Sequence, residues 1–458
     1  MKKLTFYIFL LIANISMANI SLPSVFSDNM VLQRNSTTKI WGWASPGEEI
    51  RLVASWNPTD TLSTKGNRQA KWELKLKTLE GPGPFTITIS GYNTIELKNV
   101  LVGEVWLASG QSNMEWSASA GIINGEEAIK NANNPNIRFF DVPRIAAEYP
   151  QNNVKSNWVE CTPETMKYFS AIAYFFGKKL EESLNVPIGI IGSNWGGTPA
   201  EIWIPKNAFE KDEKLTEAAS KLVKEEWGPN EPSRAFNGMI HPLVPYTIAG
   251  VIWYQGETNT SNPKYYKYVF SSLIKSWREK WDIDFPFYFA QIAPYNYGTN
   301  YAGVQIRDAQ RRTLDIPNTG MVITSDFCDV EDIHPKNKIP IGLRFANLAL
   351  KNHYKLNTNL VEGPLFDKVV FENKKAKVYF KNSEGLYFKP EKISLFEISG
   401  EDLIFYPAKA TIKNNTIIAY SKKVTNPKYI RFAWGNTSIS NLFNTANIPA
   451  SSFTTKNY

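Results

Sequence analysis

Cysteine and histidine are scarce in this chain, whose 458 residues include two cysteines and three histidines. Two cysteines build no disulfide framework. Their one pairing, Cys161 with Cys328, is open only in an oxidising compartment and only if their Cα atoms come close. So small a stock of thiols and imidazoles also lacks the pattern of a zinc site, and neither a metal nor another cofactor is expected. No block of basic residues is present either. The net charge is +8, or +6 once Lys2 and Lys3 are set aside, and the lysines are scattered, so no nucleic-acid partner is expected. Long apolar runs are missing as well. The longest opens the chain, from Leu4 to Ile15, and is short for a bilayer span. It follows Met1-Lys2-Lys3 and precedes Ser16-Met17-Ala18, small residues at the key positions before a cleavage point. Residues 1–18 therefore read as a secretory signal peptide, and the mature protein as exported, periplasmic or extracellular, with no membrane insertion.

What the chain does have is a change of rhythm. From 19 to 100, short alternating runs such as Lys39 to Trp43, Glu49 to Ala54, Lys71 to Leu76 and Phe85 to Ser90 are separated by Gly and Pro turns, the pattern of a small β-sandwich. From 101 to 356 continuous apolar runs alternate with helical stripes. Val102 to Ala108, Ile188 to Gly192, Ile248 to Tyr254, Phe287 to Ile292 and Met321 to Thr324 read as buried parallel strands. A helix is expected behind the Thr162-Pro163 cap, with Ile172, Phe176, Leu180 and Leu184 on its core face, and another through Tyr266, Phe270, Leu273 and Trp277. This alternation predicts a doubly wound α/β sheet. From 357 to 458 the β rhythm returns.

Chemistry concentrates in the loops that follow those strands. Gly110-Gln111-Ser112-Asn113-Met114-Glu115-Trp116 turns sharply after the first run and lifts Ser112 toward the crevice where such sheets hold ligands. A serine hydroxyl needs a base, and usually a carboxylate to orient that base. Of the histidines, His353 sits on a lysine-rich helix and His241 at a strand entry, where surface and structural roles are expected. His334, in Asp332-Ile333-His334-Pro335, follows the last strand and shares the rim with Ser112. Trp195-Gly196-Gly197-Thr198-Pro199 and Gln255-Gly256-Glu257-Thr258-Asn259 follow two further strands and offer backbone and amide donors for an oxyanion.

These four blocks, together with Leu22 to Gln33 near the start and Phe396 to Asp402 near the end, resemble the sialate O-acetylesterase family of the SGNH hydrolase superfamily. The resemblance covers nearly the whole mature chain. It implies a flavodoxin-like, three-layer α/β/α domain with a five-stranded, mostly parallel sheet, flanked by the N-terminal and C-terminal β regions. It also implies Ser112 as nucleophile and His334 as base. The Ser112 N–H, a glycine of the Gly196-Gly197 pair and Gln255 would form the oxyanion hole, with Asn259 as second choice for the third donor. Gln111, Asn113, Glu257 and Asn259 are the expected substrate contacts. Many relatives carry the orienting acid three residues before the histidine. Here that slot holds Glu331, and Asp332 is expected to take the role.

The implied activity is removal of acetyl esters from sugars, on sialic acids or alternatively on plant polysaccharides such as xylan or xyloglucan. A sialate enzyme calls for an arginine near Ser112 to meet the sugar carboxylate, for which Arg234 and Arg307 are candidates. A carbohydrate-binding protein that kept the scaffold without catalysis is the alternative of another class.

Overall fold

The computed structural model describes residues 19–223, 228–298, 300–356, 358–390 and 394–457, so the expected signal peptide lies outside the described residues. Among the described residues, no helix is long and apolar enough to cross a membrane.

The central sheet comprises β1 (Thr94–Gly110), β2 (Asn134–Asp141), β3 (Trp158–Cys161), β4 (Ile188–Asn194), β5 (Gly250–Tyr254), β6 (Phe287–Ala290) and β7 (Thr319–Val322). Their order is β7-β6-β5-β1-β4-β2-β3, parallel throughout except that β3 runs against β2. The five expected strands are all present, and the sheet exceeds five by β2 and β3. The run Ile137 to Phe140 inside β2 is interrupted by Arg138 and follows Pro135, which disguises it. The chain winds to β4 on one side of β1 and then crosses to β5 on the other. That reversal places a crevice at the carboxyl ends of β1, β4 and β5.

Both sheet faces are covered. On one, Trp106 of β1 meets Phe176 of helix Ala171–Leu184, which packs against helix Ile339–Asn352. On the other, Trp253 of β5 meets Phe270 and Trp277 of helix Pro263–Trp281, which packs against helix Ala302–Thr313. The helix expected behind Thr162-Pro163 is two helices. Thr162 caps only Pro163–Met166, and Ser170 then caps Ala171–Leu184 by accepting from the Ala173 N–H at 3.2 Å.

The flanking β regions attach differently. β1 runs unbroken through the 100/101 boundary: its first half pairs with the N-terminal strand Phe85–Ser90 and its second half is the centre of the α/β sheet. N-terminal Ile50, Leu52 and Ile89 consequently share one core with Leu107 and Ile190. The C-terminal region instead forms two four-stranded antiparallel sheets around their own core, which includes Val378, Phe396, Ile417, Phe432 and Phe453. It docks on the central domain through Ile448, which joins the central core, and through polar contacts that include Arg307, whose guanidinium donates to the Gly435 and Asn436 carbonyls. The two cysteines are separate free thiols, Cys161 buried in β3 and Cys328 in the loop before His334, so the pairing open to them in sequence is not made.

Candidate active site

Three strand ends set the site. Gly110, Asn194 and Tyr254 stand side by side in register at the carboxyl ends of β1, β4 and β5. The backbone then turns at Gly110, whose φ is +140° and where a Cβ would lie 2.1 Å from the Tyr254 carbonyl oxygen. Only glycine fits so close an approach. The Gln111 N–H donates to the Tyr254 carbonyl at 3.0 Å and the Trp195 N–H to the Gly110 carbonyl at 3.0 Å, which locks the three loops together.

On this rim Ser112 Oγ and His334 Nε2 lie 2.9 Å apart, although 222 residues separate them. That is hydrogen-bonding range for a nucleophile and its base. The imidazole stacks on the Trp116 indole with centroids 4.2 Å apart and planes 27° from parallel. Burial holds the His334 pKa below its ordinary value, and the Lys338 charge lowers it further, while Asp332 opposes both. The neutral, proton-accepting form is therefore favoured.

The acid half differs from the sequence expectation. Asp332 Oδ1 accepts the His334 backbone N–H at 2.9 Å, and among the described residues the imidazole Nδ1 has no acceptor. With its carboxylate two residues before the amide, an aspartate closes its own Asx turn and spends an oxygen there. Glu331 is exposed and has no bond to the ring. The ring's orientation comes from Trp116 and from the loop that Asp332 ties.

The expected oxyanion donors are likewise divided. The Gly196 N–H donates to Glu115 Oε2 at 2.9 Å, and Glu115 Oε1 pairs with Arg144 at 2.5 Å. Gln255 is fully buried, and its amide nitrogen donates to the Thr198 carbonyl at 3.1 Å and to Asn259 Oδ1 at 2.7 Å, which uses both protons. Asn259 Oδ1 also accepts the Ala200 N–H, and its amide donates to Glu201 Oε2 at 2.9 Å. Gln255 and Asn259 thus brace the Trp195–Ala200 loop rather than face a substrate. The N–H groups of Ser112 and Gly197 carry no acceptor among the described residues.

Asn113 and Glu257, expected as substrate contacts, are buried too. The Asn113 amide donates to Glu257 Oε1 at 2.6 Å and to the Ile333 carbonyl at 3.0 Å, and its oxygen accepts from Lys338 Nζ at 2.6 Å. One side chain thereby joins the Ser112 loop, the His334 loop, a buried carboxylate and a buried amine. Burial pulls the Lys338 pKa down and pushes that of Glu257 up, and their opposite charges resist both shifts. Gln111 Oε1 accepts weakly from the Gly256 and Thr258 N–H groups at 3.3 and 3.4 Å, again a loop brace.

The central domain, residues 102–351, matches the family model for carbohydrate esterases described as sialic acid-specific acetylesterase. The sialate O-acetylesterase of Homo sapiens is 30% identical over 82% of this chain and 79% of its own length. That of Mus musculus is 28% identical over 86% and 85%. A crystal structure of a carbohydrate acetylesterase from Xanthomonas citri superposes with a TM-score of 0.87 at 32% identity, covering 96% of this chain and all of the other. This chain belongs to the sialic acid-specific acetylesterase family. It is an ester hydrolase on a carbohydrate-esterase fold.

In this esterase neither expected arginine is presented to a substrate at Ser112. Arg307 is buried in its clasp on the C-terminal region, and Arg234 faces Glu148 in a separate cleft lined by Phe209 and Asn237. Arg144 is held by Glu115, which lies three residues after Ser112. Sequence reasoning gave no role to Trp116, Glu115, Lys338 or Arg144. Trp116 and Glu115 lie inside the Ser112 motif and Lys338 lies three residues past Pro335, so their position was a usable signal. Arg144 lies in a loop with no motif, and nothing local marks it.

Proposed function

We propose that the protein is an exported carbohydrate O-acetylesterase working through a serine acyl-enzyme, with O-acetylated sialic acid as its substrate. The 2.9 Å contact between Ser112 Oγ and His334 Nε2, on the rim of a carbohydrate-esterase fold, carries the reading. His334 takes the Ser112 proton as Oγ attacks the acetyl carbonyl. The N–H groups of Ser112 and Gly197, free of other acceptors, receive the oxyanion, a service worth about 3 kcal/mol per donor in the transition state. His334 then protonates the departing sugar oxygen. Water enters, gives its proton to His334 and attacks the acetyl-enzyme, and acetate leaves as Ser112 regains its proton. The buried layer of Asn113, Lys338 and Glu257 holds the two loops in reach of each other.

Acetylated plant polysaccharide is the second reading, and one observation favours it: Arg307 and Arg234 are both committed to other partners, and Arg144 is already neutralised by Glu115. Acetate release from O-acetylated sialic acid, acetylated xylan and acetylated xyloglucan, compared as kcat/KM, decides between them. Preference for the sialic acid supports the first reading and preference for a polysaccharide the second. Release from none rejects both. Export is checked separately, by the amino-terminal residue of the mature protein, expected near Asn19.

A further inference from the structure

A cleft of about 470 Å³ lies between the N-terminal β region and the central domain, and none of its lining belongs to the Ser112–His334 rim. One wall is the antiparallel ribbon Thr37–Trp43 and Lys71–Lys77. Trp41 and Trp43 lie two residues apart, so their indoles share one face, with Glu73 and Lys71 directly across the ribbon. The alternation buries Ile40 and Gly42 on the other face and leaves both indoles partly exposed. The opposite wall comes from the central domain, where His241 is steadied by its Nδ1 against the Gln151 carbonyl at 2.8 Å.

The aromatic wall is held in place before any ligand arrives. Trp41 packs edge-on against Phe26 with centroids 4.5 Å apart. The Trp43 backbone exchanges two hydrogen bonds with Ser21, at 2.9 and 3.0 Å, and its carbonyl also accepts the Trp72 indole N–H at 3.3 Å. The indole N–H groups of Trp41 and Trp43 have no acceptor among the described residues. A pyranose ring offers C–H faces that lie on an indole and hydroxyls at its edge that both donate and accept. An ammonium, a carboxylate and an imidazole around two indoles meet both needs. Residues two apart on a strand stand about 7 Å from each other, which suits neighbouring rings of a chain better than a single sugar.

We infer that this cleft is a second glycan-binding site, taking an oligosaccharide of at least two rings and tethering a polymeric substrate while Ser112 acts on acetyl groups elsewhere along it. The inference rests on the carbohydrate reading above. Its test separates the two by measuring binding with catalysis removed. Ser112→Ala protein titrated calorimetrically with xyloglucan heptasaccharide and with sialyllactose is expected to bind at least one of them. Adding Trp43→Ala should weaken that binding about tenfold, and Trp43→Tyr, which keeps an aromatic face, should restore most of it. In the otherwise wild-type enzyme, Trp43→Ala should raise KM on an acetylated polymer severalfold and leave turnover of p-nitrophenyl acetate unchanged. If Trp43→Ala fails to fold, Lys71→Ala and Glu73→Ala must each weaken binding at least about threefold. Binding of neither oligosaccharide, or binding indifferent to these substitutions, overturns the site even if Ser112 proves to be the nucleophile.

Discussion

Ser112, His334 and Trp116 stand partly open on the rim, while Asn113, Gln255, Asn259, Glu201 and Lys338 from the same set of loops are fully buried. The open group has the geometry that the proposed chemistry needs: one hydroxyl–imidazole contact and one stacked ring. The buried group has the geometry of construction: Asn113 spends both donors and its acceptor on neighbouring segments, Gln255 spends both donors, and Asn259 spends a donor and its acceptor. Ser112, Asn113 and Trp116 lie in one short motif and divide between the two groups. A polar residue in a catalytic block is therefore not by that fact a catalytic residue. Its free hydrogen-bonding capacity decides.

Substitutions in the two groups should fail in different ways. The largest effect is expected at the top. Ser112→Ala should lower kcat/KM for acetate release by at least about a thousandfold with the thermal midpoint unchanged. A loss in stability of similar size would blur the distinction. Asn259→Ala, from the buried group, should do the reverse. It strips partners from Glu201, Gln255 and the Ala200 N–H and should cost on the order of 3 kcal/mol, read as a lower midpoint in denaturant, with activity falling only as the loop loosens.

Lys338→Met sharpens the comparison through pH. The proposed mechanism uses neutral His334, so kcat/KM should fall as pH drops through the His334 pKa, which lies below the ordinary 6.5. Removing the nearby cation favours the imidazolium, so the acid limb of the profile should move to higher pH by up to about one unit. A limb that stays put or moves down would show that Lys338 does not bear on the base. The smallest effect is expected at Asp332. Asp332→Asn should cost about tenfold or less, against the roughly ten-thousandfold typical of an acid bonded to the base's ring. A loss of the larger size would mean that Asp332 reaches Nδ1 during turnover.

The parallel strands, the loops after them and the meeting of Ser112 with His334 were legible in sequence because each leaves a local mark: an apolar run, then a turn, then a polar residue. Strands β2 and β3 were not, because Pro135 and short length mask them. The roles of Gln255, Asn259 and Asp332 were not legible either. Whether an amide or carboxylate faces a substrate or a neighbouring loop depends on the packing of several segments, and no single motif contains it. Arg307 illustrates the same limit. A charged side chain on a helix reads as a ligand contact or a surface group, and only the docked C-terminal region reveals it as a clasp.

Labelling by a fluorophosphonate probe, followed by mass spectrometry of the modified peptide, tests the Ser112–His334 pair most directly. One adduct on Ser112, formed rapidly in the wild type and slowed at least about a hundredfold in His334→Ala, is the predicted result. Modification of another serine, or labelling of Ser112 at the same rate without the imidazole, would contradict the account.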